Sequence, residues 1–208
     1  MLNKIILCII TFFLSNFLLK RFINKLSKRF LDIPNNRSMH IIPKPRGGGI
    51  IFIASSIISS LIYILIYGIS KSLIIPFLIM PLGIIGFIDD SHSLSPKIKY
   101  IVQVITCFFI YVTSNLFIGL TQNNIYGLFL MLLIIISLTA IINFVNFMDG
   151  IDGLVASCMF ISISTTCFVL DIGQGYLFLL SSLISFILFN WHPAKLFMGD
   201  SGSTFLAA

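Results

Sequence analysis

The sequence predicts an all-α fold, a polytopic transmembrane helix bundle that forms a single domain over residues 1–208. Three observations predict it. Hydrophobic residues make up 58% of the chain and only 10% are charged, more apolar surface than a soluble domain of 208 residues can hide. Apolar runs recur near the length of about 20 residues that crosses a bilayer. The basic residues are segregated along the chain, as in membrane proteins with a fixed orientation.

The runs give about seven spans, at 3–19, 50–67, 72–88, 101–118, 127–145, 155–170 and 176–190, plus the start of an eighth after Gly202. The first is followed by Lys20 and Arg21 rather than by a small-residue cleavage site, so it reads as an uncleaved span. The next loop carries Lys20, Arg21, Lys25, Lys28, Arg29, Arg37, Lys44 and Arg46, eight of the thirteen basic residues, and is therefore expected in the cytoplasm. Alternation then leaves Lys4 and Lys71 as the two basic residues on the far side. The cysteines Cys8, Cys107, Cys158 and Cys167 lie in apolar runs without metal-like spacing and read as small core residues. The basic residues form no nucleic-acid-binding motif, which argues against a nucleic-acid partner.

All seven acidic residues are aspartates, and five cluster where apolar runs end. Acids beside membrane helices are costly and mark functional sites. Orientation places Asp89–Asp90, Asp149 with Asp152, and Asp200 on one face, the cytoplasmic one.

Four polar islands hold the candidate chemistry. In the first, Pro43 and Pro45 force an extended chain before Gly47, Gly48 and Gly49 open a helix. Its free N–H groups, with Lys44 and Arg46 beside them, suit a phosphate; the competing reading is that the glycines let helices pack closely. The spacing is not that of a P-loop. In the second, Asp89 and Asp90 end a run ahead of Pro96 and Lys97. Adjacent carboxylates suit a general base or oxygen ligands for Mg2+. In the third, Asn143, Asn146, Asp149 and Asp152 recur every three residues, a stripe along one helix face able to meet a metal or a nucleobase edge. A chain without glutamate, with this spacing, excludes an EF-hand. In the fourth, Asn190 and Trp191 precede Phe197 and Asp200, with Ser201 and Ser203 at a helix start. Trp191 and Phe197 offer flat faces for a base or sugar, and helix capping is the competing reading of Asp200.

Together the islands resemble the polyprenyl-phosphate N-acetylhexosamine-1-phosphate transferases, glycosyltransferase family 4. The matching residues are Asp32, Pro34, Asn35, Arg37, Ser38 and His40, then Pro43 and Pro45 through Gly49, then Asp89, Asp90, Leu94 to Pro96 and Lys97. They continue with Asn143, Asn146, Asp149, Gly150 and Asp152 through Leu154, and close with Asn190, Pro193, Ala194 and Phe197 through Ser203. The first island resembles the branch that initiates O-antigen, common-antigen or teichoic-acid chains more than the peptidoglycan branch. The resemblance implies transfer of sugar-1-phosphate from a UDP-N-acetylhexosamine to undecaprenyl phosphate in the lipid bilayer, with UMP released and Mg2+, or alternatively Mn2+, as cofactor. It assigns Asp89, Asp90 and Asp149 to catalysis, and Asn146 and Asp200 to the metal. It assigns Asp152, Asn190, Phe197, Lys97, Arg46, Lys44 and His40 to the substrates. It is compatible with a homodimer.

Family members continue for further helices with a basic, histidine-containing motif, so a C-terminally truncated chain is expected, with an inactive family member as one alternative. The other is a transporter with an Asp-lined site. Transporter sites lie near the bilayer midplane at broken helices, whereas these acids sit at span ends.

Overall fold

The computed structural model describes residues 2–25, 30–34, 42–114, 125–170 and 173–208. Its order is α1 (Leu2–Lys25), β1 (Leu31–Asp32), β2 (Lys44–Pro45), α2 (Gly49–Tyr67), α3 (Lys71–Leu78), α4 (Met80–Ser91) and α5 (Pro96–Thr113). It continues through α6 (Ile125–Met148), α7 (Leu154–Leu170), α8 (Gln174–Asn190) and α9 (Gly199–Ala207). The all-α membrane bundle is as expected. Five segments are long and apolar enough to cross a bilayer: Leu2–Lys25, Gly49–Tyr67, Ser72–Ser91, Pro96–Thr113 and Ile125–Met148. Leu154–Val169 and Gly175–Asn190 are shorter apolar helices.

The helices are long because their interiors are leucine, isoleucine and phenylalanine, and their breaks have local causes. The expected span at 72–88 is two helices, α3 and α4, separated at Ile79. Pro76 lies inside α3, and Pro81, which lacks an N–H, opens the first turn of α4. Residues 115–118 of the expected fourth span lie outside the described residues, as does His40.

The largest apolar cluster joins Leu19, Phe52, Ile53, Leu183, Phe186, Leu196, Met198 and Phe205 from α1, α2, α8, the loop that follows it, and α9. Side chains such as Phe13, Phe129, Phe147 and Phe168 remain exposed, as befits helices whose outer solvent is lipid. Between α1 and α2, Thr11 donates to Ser59 Oγ at 2.6 Å, and Ser15 Oγ reaches the Ser182 carbonyl of α8 at 3.3 Å. Small polar residues of this kind bring membrane helices close and join them by hydrogen bonds.

The short helix α9 is the hub of the acidic end. It packs on α4, α6, α2 and α7. Close approach is possible because the facing positions are glycines. A Cβ on Gly49 would strike Gly202, and one on Gly86 would strike the backbone at Asp200 and Ser201. The strand pair β1–β2 is antiparallel, with Leu31 opposite Pro45 and Asp32 opposite Lys44. Beyond it the chain is stitched to the α8–α9 loop: Phe197 N–H donates to the Pro45 carbonyl at 2.8 Å, Gly48 N–H to Phe197 at 3.0 Å and Gly49 N–H to Met198 at 2.9 Å.

These bonds decide between the two readings of the glycines. The N–H groups of Gly48 and Gly49 are not free for a phosphate; they are buried and bonded to carbonyls. The glycines serve helix packing instead.

Candidate functional site

Loops and helix ends at one end of the bundle bring Asp89, Asp90, Asn146, Asp149 and Asp200 around the start of α9. The adjacent pair parts company, because successive residues on a helix point about 100° apart. Asp89 turns toward α5. Its Oδ1 accepts the Leu94 N–H at 2.7 Å, and its Oδ2 accepts Lys99 Nζ at 2.9 Å. Asp90 turns inward and is 2% exposed. It accepts the N–H groups of Asp200 at 3.0 Å and Ser201 at 3.3 Å.

Lys99 is the residue that sequence reasoning passed over in favour of Lys97. Its ammonium also meets Asp200 Oδ2 at 3.1 Å, so one cation joins two of the acid islands. A signal was present: Lys99 and Gln103 lie four apart on the face of α5 that meets α6. Gln103 and Asn143 exchange two hydrogen bonds there, at 3.2 and 2.8 Å. Pro96, Lys97, Lys99, Tyr100, Gln103 and Asn143 line a cleft of about 590 Å³ beside this pair. Lys97 itself is exposed on its wall.

The expected four-residue stripe is only half helical. α6 ends at Met148, where the Asp149 N–H turns back to the Asn146 carbonyl at 3.2 Å, and Gly153 takes a positive φ of 74°. The four side chains therefore diverge. Asn143 meets Gln103, and Asn146 Oδ1 accepts Ser203 Oγ from α9 at 2.5 Å. The Asp149 carboxyl accepts the Gly199 N–H and is hemmed in by protein, although the residue keeps an opening to the surface. Burial, with the charges of Asp200 and Asp90 added, holds this carboxyl well above the usual carboxylate range.

Asp152 belongs to a separate cluster. Its Oδ2 accepts the Ala194 N–H at 2.9 Å and stands 3.2 Å from His192 Nδ1 and 3.6 Å from Lys44 Nζ. Burial pushes this carboxyl up, but the Ala194 N–H, Lys44 and His192 outweigh it and hold it below its ordinary value. Lys44 also sits 5.2 Å from the centre of the half-buried Phe197 ring. Asn190 is buried behind both clusters, with both ends of its amide engaged by backbone. Its Oδ1 accepts Gly153 N–H at 3.1 Å, and its Nδ2 donates to Leu196 at 3.0 Å. Arg46 Nε donates to the Asp90 carbonyl at 3.1 Å, which locks the first island onto the end of α4.

Among the described residues no group of three or more His, Cys, Asp or Glu side chains stands ready to hold a metal. The donors near α9 are all oxygens, and they offer an ion one or two carboxylates. That set fits Mg2+, which protein sites commonly hold through one or two carboxylates, the rest of its shell being water and substrate phosphate.

Comparison with known sequences bears on this arrangement. A family model described as "Glycosyl transferase family 4" matches residues 72–208. A "Probable undecaprenyl-phosphate N-acetylglucosaminyl 1-phosphate transferase" of Bacillus subtilis is 30% identical over 99% of this chain and 62% of its own length. A "Phospho-N-acetylmuramoyl-pentapeptide-transferase" of Lactococcus lactis subsp. cremoris is 31% identical over 98% of this chain and 70% of its own length. A relative with that second name in Streptococcus equi subsp. zooepidemicus is 33% identical over 79% of this chain and 56% of its own length. The chain thus spans between about half and 70% of these relatives.

Proposed function

Because the chain belongs to glycosyl transferase family 4, we propose that it transfers N-acetylhexosamine-1-phosphate from a UDP-sugar to undecaprenyl phosphate at the cytoplasmic face of a bacterial plasma membrane. An oxygen of the lipid phosphate attacks the sugar-bearing β-phosphorus. The bond from that phosphorus to the bridging oxygen breaks, and UMP leaves with the electron pair. The observation that carries the reading is the bridging of Asp89 and Asp200 by Lys99 at the start of α9, with Asp149 close enough to Asp200 to feel its charge. Phosphoryl transfer requires charge neutralisation and alignment more than covalent help.

Each residue has a part. Asp89, anchored by Leu94 N–H, orients the lipid phosphate and takes up a proton as it attacks. Asp200, with Asn146 and Asp149 beside it, would hold Mg2+, which would supply charge neutralisation for the diphosphate. Lys99 keeps Asp89 and Asp200 in register and gives a positive charge to the phosphates. Asp152 and Phe197 receive the uridine, framed by Lys44, while Asn190 holds their loops together. Lys97 meets phosphate from the wall of the cleft. The cytoplasmic side follows from the basic residues of the first loop, and the branch that begins a cell-surface polysaccharide from the lead into Gly47–Gly49.

The test is UMP release from a panel of UDP-N-acetylhexosamines, in membranes carrying D89N, D149N or D200N. Release should fall in each variant. Near-wild-type turnover in all three rejects the site, and the panel identifies the sugar.

A further inference from the structure

We propose that Asp90 is a positioning residue: from α4 it caps the N-terminus of α9 and thereby sets the place of Asp200, without itself meeting substrate. The start of a helix leaves its first N–H groups without partners inside the helix. The residue in the N-cap position of α9 is Met198, which makes no side-chain cap. Methionine lacks the short oxygen that Ser, Thr, Asn or Asp would supply. The deficit is made good from outside the helix. Gly199 N–H goes to Asp149, and the next two, from Asp200 and Ser201, go to the two oxygens of Asp90. A carboxylate there also opposes the positive end of the helix dipole.

Three features hold the cap in place. Asp90 is 2% exposed, so its carboxylate faces α9 rather than the cleft. Arg46 clamps its carbonyl at 3.1 Å. Gly199, at φ 75°, lies so close that a Cβ there would overlap the Asp90 carboxylate. The two neighbouring aspartates thus divide the work. Asp89 looks out to Lys99 and the cleft, and Asp90 looks in and fixes the helix that carries Asp200.

The cap can be tested on the full chain in nanodiscs, by amide hydrogen exchange over 199–203. D90A and G199A should each raise exchange there by about tenfold, D90N by less because it keeps one acceptor, and D89N not at all. The double variant D90A/G199A should show less than the combined effect of the two single ones, because without the Asp90 carboxylate the added Cβ has nothing there to overlap and only the strain at φ 75° remains. The activity arm rests on the reading proposed above. D90N should lower kcat by about ten- to a hundredfold, with KM for the UDP-sugar and the acid limb of the pH profile unchanged. Wild-type exchange in both D90A and G199A overturns the proposal. So does a D90N that is inactive yet exchanges like wild type, because Asp90 would then act on substrate. If D90A does not accumulate, G199A and D90N decide the question. A wild-type chain without turnover refutes the transferase reading while leaving the exchange result to decide the cap.

Discussion

Asp149 and Asp152 stand three residues apart on the same loop and live in opposite electrostatic worlds. Asp149 is pressed against α9 among other acids, with Asp200 and Asp90 adding charge of its own sign. Asp152 is met by Lys44, His192 and a backbone N–H. One cluster has negative charge in excess, with Lys99 the one cation in salt-bridge contact with it among the described residues. The other is already neutralised and presents a fixed edge. The loop that bears both is one turn past the end of α6, and that turn sends the two side chains to different partners.

Kinetics should break this comparison first. D149N is expected to lower kcat for UMP release by about a thousandfold, the order seen when a group stabilising the transition state is removed. D152N is expected to raise KM for the UDP-sugar about tenfold and to leave kcat within a few-fold, as loss of uniform binding does. Equal kcat effects in the two variants would merge the clusters into one.

Next in size is the stability of the fold's loops. N190A leaves the Gly153 N–H and the Leu196 carbonyl buried without partners, at about 1–3 kcal/mol. Thermal unfolding in detergent should show the loss as a drop of several degrees. An unchanged midpoint would mean that Asn190 is not the brace between the clusters.

The smallest effect, and the sharpest, is in pH. Asp149 has its carboxyl raised in the fold, so its contribution to stability is fully present below the unfolded value of about 3.9 and is lost as pH rises through the folded value. D149N should therefore match or exceed wild type in melting temperature above neutral pH and lack that decline. Asp152 has its carboxyl lowered, so its contribution is present above about 3.9 and is lost as pH falls through the folded value. D152N should be less stable than wild type at pH 7 and level with it in acid. Melting curves across pH 4–9 without Mg2+ read both slopes; slopes of one sign would refute the contrast.

Much of this was legible in the chain. Long apolar runs could only be membrane helices, because an unpaired backbone in lipid is too costly. The gathering of the acid islands at one end followed from alternating spans, and the structure bears it out. The division of labour within that end was not legible. An N–x–x–N–x–x–D–x–x–D spacing reads as one stripe if the helix continues, and it stops at Met148. A triple glycine before a helix reads either as an anion cradle or as a seam for close packing, until Phe197 and Met198 are seen to occupy the N–H groups of Gly48 and Gly49. Lys99 stayed hidden because its partners, Asp89 and Asp200, are 10 and 101 positions away.

By itself the sequence determined the bundle and which residues could bear charge beside the bilayer, because hydropathy is a local property. Only the tertiary structure decided which carboxylate faces a lysine, which a helix end and which another acid. Those are decided by direction and distance across helices, in surroundings where a rotation of one residue moves a charge from solvent to core.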